Sequence, residues 1–185
     1  MKIDLFGPIH KGLRALLFGT AAALARADVT RDDDLDAVAA MAQRLIGFLR
    51  EHSLHEDMHV LPLLAALDAD LARALAGAHA QLDALQNELA ALLARAQGAA
   101  AADRIVLAPR LTSLFHRLVA GHVAHMDQEE REALPVLWAR CSDEALGGIR
   151  VRIVQSMTSA RTLEWMQLVL PAINPNERAA LTAAF

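Results

Sequence analysis

One pattern occurs twice in this chain and limits what it can fold into. Residues 52–57 (HSLHED) run on to LPLL at 61–64, and residues 125–130 (HMDQEE) run on to LPVL at 134–137. Both copies read HxxxE[DE]xxxLPxL. Each is preceded by a stretch with a lone histidine, HKGLRAL from His10 and HAQLDAL from His79, or HxxLxAL twice. The offset is 69 residues for the first element and 73 for the second. Self-similarity of this kind marks a duplicated structural unit, here a pair of helices.

On a helix, residues i and i+4 lie one turn apart on the same face. His52 therefore shares a face with Glu56, and His125 with Glu129. His10 and His79 belong to the two remaining helices. If the four faces meet in a core, pseudo-twofold symmetry gathers four imidazoles and two carboxylates. Burying such groups without partners is costly, and a pair of metal ions would satisfy all six. Imidazole and carboxylate without thiolate suit iron, manganese or zinc better than copper(I). Two bridging glutamates and two terminal histidines per ion leave a position for an oxo or hydroxo bridge and a small ligand.

Composition agrees with a helical frame. The 185 residues include 39 Ala and 31 Leu, the strongest apolar helix formers, with 5 Phe, 2 Trp and no Tyr. Strand-forming residues are scarce, so the expectation is an all-α chain. A net charge of −4 with scattered basic residues gives no nucleic-acid footprint. The lone Cys141 excludes a disulfide framework or an iron–sulfur cluster held by this chain alone. The longest early uncharged run, Ala15 to Ala25, falls short of the roughly 18 residues a membrane span needs. It imitates a secretory leader, but Asp4 lies in the supposed basic region and cleavage would remove His10. It reads instead as a ligand-bearing helix, and the expected location is cytoplasmic.

Helix signals divide the chain. Gly7-Pro8 opens a first helix to about Ala27, and Thr30 with Asp33 offers a capping-box start for a second, through about Leu61. Pro62 ends or kinks it. Asp68 caps a third, which runs to Gln97 before Gly98. A fourth begins between Asp103 and Pro109 and reaches Leu134, where Pro135 interrupts. Short connections predict antiparallel neighbours, hence an up-down-up-down four-helix bundle over residues 1–140. A short helical C-terminal extension, residues 141–185, is expected to pack on it. Gly147-Gly148 suggests a break there, Thr158 to Leu170 a helix, and Asn174-Pro175 the cap of a last one.

These paired motifs, each behind a helix with one histidine, resemble the hemerythrin-like (HHE cation-binding) domain across about residues 8–140. The resemblance implies a non-haem di-iron site on His10, His52, Glu56, His79, His125 and Glu129. It implies a diatomic ligand, O2 or NO, in storage, sensing, detoxification or iron-centre protection. Oxygen-carrying hemerythrins have a fifth histidine where this chain has Asp83, and an aspartate where it has Glu129. The four-His, two-Glu set looks more like the di-iron domains of iron-centre repair proteins.

Other readings compete at the same residues. HEDMH at 55–59 is a literal HExxH, the zinc hydrolase motif, but it has no counterpart in the second copy, where Gln128 and Glu132 stand. A di-iron peroxidase or oxidase, and a metal-free partner-binding bundle, complete the alternatives. His59, His122 and Asp83 are candidates to stand behind the ligands or line an access route. His116 and His55 are expected to be peripheral, Cys141 an inert buried thiol, and the acidic run 127–132 mostly a solvated face.

Overall fold

A computed structural model of the chain describes residues 2–182 and is all-helical, with no strand among the described residues. Four long helices dominate: α1 (Gly7–Arg26), α2 (Asp32–His59), then, after the short α3 (Leu61–Leu67), α4 (Ala69–Gln97) and α5 (Ala101–Gln128). Each long helix packs on its neighbour in sequence, and α1 closes the ring against α5. Beyond α5 come α6 (Leu134–Arg140), α7 (Asp143–Ser156), α8 (Ser159–Val169) and α9 (Pro175–Thr182). None of the described helices is long and apolar enough to cross a membrane.

Helix ends follow local chemistry, with some differences from expectation. Asp4 Oδ1 accepts hydrogen bonds from the Phe6 and Gly7 amides ahead of Pro8, and Asp68 caps α4 through the Leu71 amide at 3.0 Å. The expected capping box at Thr30 does not form. The Thr30 hydroxyl donates instead to Asp28 at 2.6 Å, and α2 starts with Asp32, Asp33 and Asp34 in its first turn. There three carboxylates meet the positive end of the helix dipole. Gly98 ends α4 without a left-handed backbone (φ −82°) because Arg104 takes over the capping. Its Nε donates to the Ala96 and Ala99 carbonyls, and its Nη1 to Asp32 at 2.6 Å.

The two Leu-Pro steps are handled differently. Proline has no amide hydrogen and crowds the carbonyl four residues back. In the first copy α2 stops at His59, and α3 restarts with Pro62 in its first turn. In the second copy the helix does not break. It widens through a π-turn at Glu129–Ala133, where the Leu134 amide reaches back to the Glu129 carbonyl. The expected break at Gly147-Gly148 is absent, for α7 runs straight through both. Ser142 caps that helix, and Leu146 and Ile149 bury against Phe6 and Leu137. That burial outweighs a glycine cost of about 0.5–1 kcal/mol per residue.

The core is split. One apolar cluster takes Leu13 and Leu17 of α1, Phe48 and Leu49 of α2, Leu89 of α4 and Phe115 and Leu118 of α5. The other takes Phe6, Val60, Leu64, Leu75, Leu134 and Leu137. The histidines and glutamates of the repeat lie near the junction of the two clusters: His10 between Phe6 and Leu13, His52 and Glu56 between Leu49 and Val60, His79 between Leu75 and Leu89, and Glu129 between Met126 and Ala133. The C-terminal helices fasten onto the outside. Arg161 and Trp165 of α8 both donate to Glu51, and the Arg161 guanidinium stands 4.1 Å over the Phe48 ring. Gly12 lets α8 approach α1, since a Cβ there would stand 3.3 Å from the Val169 backbone.

Candidate metal centre

All six residues of the duplicated register meet in the layer between the two apolar clusters. His10 Nε2 lies 3.4 Å from Glu129 Oε2 and 3.8 Å from Glu56 Oε1, and His52 Nε2 is 3.3 Å from Glu56 Oε1. His79 Nε2 is 3.4 Å from Glu56 Oε2, and His125 Nε2 is 3.3 Å from Glu129 Oε1. The atoms fall into two groups that could each hold a metal ion: His10, His52, Glu56 and Glu129, and Glu56, His79, His125 and Glu129. Each glutamate belongs to both groups. The imidazoles pair edge to face, His10 with His52 and His79 with His125, at ring separations of 5.0 and 4.6 Å. Gly121 of α5 leaves room for the Leu82 side chain of α4, whose Cδ2 would stand 2.8 Å from a Cβ there.

The chemistry of these atoms fits a metal pair. The four Nε2 atoms and all four glutamate oxygens are buried and without a hydrogen-bond partner. At about 1–3 kcal/mol for each unsatisfied group, eight would rival the whole net stability of a domain, about 5–15 kcal/mol. Their mutual separations are too long for good hydrogen bonds. They do suit atoms sharing a centre: ligands ~2.1 Å from one ion stand roughly 3.0–3.6 Å apart.

Charge is distributed unevenly among the protein groups. Burial raises the Glu56 carboxyl well above its usual range, and the neighbouring Glu129 charge adds to this. Burial pushes Glu129 the same way, but His125, His10 and His79 outweigh it and hold its carboxyl low. Burial opposes charge on His10, yet Glu130, Glu56 and Glu129 raise it to about 9. Burial, reinforced by the neighbouring imidazoles, lowers His52.

Two further carboxylates complete the layer. Asp57 Oδ1 stands 2.7 Å from Nδ1 of His79, and Glu130 Oε1 stands 2.8 Å from Nδ1 of His10. Glu130 Oε1 also accepts from Arg14 at 2.8 Å. Burial would raise Glu130, but these two partners pull it down to about 2. Asp57 and Glu130 occupy the [DE] position of the two repeats, so each copy braces the lone histidine of the other. The acidic run 127–132 is therefore not simply a solvated face. The repetition of that acid in both copies was the signal for its role.

The remaining candidates spread out. His122 is buried, its Nε2 3.2 Å from the Gln86 amide nitrogen, and burial followed by the nearby His125 lowers it to about 3. Asp83 is half-buried with one oxygen enclosed and unpartnered, and the half-buried His59 has an unpartnered Nε2. His116 is exposed, and His55 is half-buried beside Ser156. Neither His55 nor His59 joins the metal-competent groups among the described residues, and Glu56 is buried where both are half-buried. Cys141 is half-buried and free.

No curated protein and no solved structure matches the chain. The family model of the hemerythrin HHE cation-binding domain matches residues 1–137, a span that contains every histidine and glutamate of the centre. This chain belongs to the hemerythrin HHE cation-binding family.

Proposed function

We propose that the protein is a non-haem di-iron protein that binds or responds to a diatomic ligand, O2 or NO. One observation carries the reading. Eight buried, unpartnered ligand atoms form two groups, each with two imidazoles and one oxygen from each of two glutamates. His10 and His52 would hold one ion, His79 and His125 the other, with Glu56 and Glu129 spanning both. An iron pair, when bound, supplies electrons and an open coordination position for a small ligand.

The protein's own part is positional. Asp57 and Glu130 fix the ring orientation of His79 and His10 by accepting from Nδ1, which leaves Nε2 free to act as a ligand atom. The two apolar clusters keep bulk water from the layer. We also propose that α1, α2, α4 and α5 form an up-down-up-down bundle over residues 1–140, with 141–185 as an extension, in a cytoplasmic protein.

Metal analysis with a near-ultraviolet spectrum tests this. Two irons per chain are expected, and reduced protein mixed with O2 or NO should change its spectrum. No metal above background, or a single zinc, defeats the reading.

A further inference from the structure

The six-ligand set is nearly symmetric and does not tell its two halves apart. The C-terminal helices do. A cavity of about 100 Å³ lies between α1, α2 and the extension, and His52 and Glu56 form part of its wall. Of the centre's four imidazoles His52 alone lines it; His10, His79 and His125 do not. Its outer wall is made by residues beyond the matched family span, among them Ile153, Val154, Met157, Trp165 and Met166.

Apart from His52 and Glu56, whose unpartnered atoms belong to the centre, the walls are mostly apolar, and the polar groups at the edges already have partners. The Asp4 carboxylate holds the start of α1, and Arg150 reaches the Asp4 carbonyl at 3.5 Å. Thr162 donates to the Thr158 carbonyl, and His55 Nε2 lies 3.4 Å from the Ser156 hydroxyl. An apolar cavity of about 150 Å³ stays dry and takes benzene or xenon. This one therefore has room for an uncharged guest of a few non-hydrogen atoms.

We infer that the extension builds a chamber for a small, uncharged, apolar molecule and makes it the route to the His10/His52 half of the centre. The inference deepens the proposed function and rests on it for the route, while the chamber stands on the cavity alone.

Two measurements separate these. Crystals of the full chain pressurised with xenon should show xenon between Val154, Trp165 and His52, and its absence there overturns the chamber whether or not iron is bound. In iron-loaded, reduced protein, Val154→Trp should slow the reaction with NO at least tenfold at unchanged iron content. Val106→Trp, at an exposed position of α5, should leave the rate as it is. Equal rates in all three proteins overturn the route. Should Val154→Trp fail to fold, Val154→Met gives the same comparison with a smaller slowing. A chain that takes up xenon but no iron refutes the di-iron reading and leaves the chamber intact.

Discussion

Asp57 and His79 sit on different helices and in different copies of the repeat, yet their side chains meet at 2.7 Å. A carboxylate behind a ligand histidine fixes its ring and raises its basicity, and such partners are typically worth 10–100-fold in metal affinity. Asp57→Asn should therefore speed metal loss to a competing chelator by roughly that factor, with the helical content unchanged. Glu130→Gln should do at least as much, because Glu130 holds both His10 and Arg14. Loss rates equal to the parent chain would show that these contacts are incidental.

Glu56 and Glu129 should exchange stability for function. Without a metal, burial and mutual repulsion work against a second charge in the layer. Glu56→Gln should then raise the stability of the chelator-treated protein by about 1–3 kcal/mol while lowering its metal content. Denaturation midpoints with and without chelator check this. A destabilised metal-free variant would speak against the strain.

Metal removal from the parent chain should lower its melting temperature. A ligand at a thousand times its dissociation constant contributes about 4 kcal/mol. Calorimetry before and after chelation reads the difference, and coincident transitions would mean that the layer holds its fold unaided.

His122 gives a pH dependence of defined sign. Its ordinary value is 6.5, and burial lowers it to about 3 in the folded chain. Below 6.5 the unfolded chain takes up a proton that the folded chain refuses, so stability falls with falling pH in that window. The limiting slope is about 1.4 kcal/mol per pH unit. Urea midpoints of the metal-free protein between about pH 6 and 4 should be less pH-dependent in His122→Leu. An unchanged slope would place the proton elsewhere.

Arg104 supports the α4–α5 corner and not the centre. Arg104→Met frees the Ala96 and Ala99 carbonyls and the Asp32 carboxylate. A loss of about 2 kcal/mol is expected, with metal content unaffected. A fall in metal content at full stability would contradict this division of roles.

The meeting of the six histidines and glutamates was legible because their spacing recurs, and recurrence is visible without any contact being known. The bracing role of Asp57 and Glu130 was hidden for a geometric reason. The residue after a ligand points about 100° around its own helix, away from the ligand face. Only the packing of the next helix shows that it reaches another histidine. Pro135 announced an interruption, but not whether the helix would break, as it does before Pro62, or widen into a π-turn. That choice depends on what each turn packs against. The two glycines at 147–148 misled because local propensity lost to the burial of Leu146 and Ile149. Trp165 and the chamber it helps to wall lay in a tail whose sequence carries none of the repeat.

The exchange of carboxylates between the two copies has one more consequence. Each group draws both imidazoles from one copy, one glutamate oxygen from each, and its brace from the other. A half-length chain with a single copy could complete neither group, whereas two such chains related by a twofold axis could complete both. Joining the copies through α3 turns that second-order encounter into a unimolecular one, with an effective concentration on the order of millimolar. Assembly of the centre is thereby independent of protein concentration and survives dilution that would empty a two-chain version.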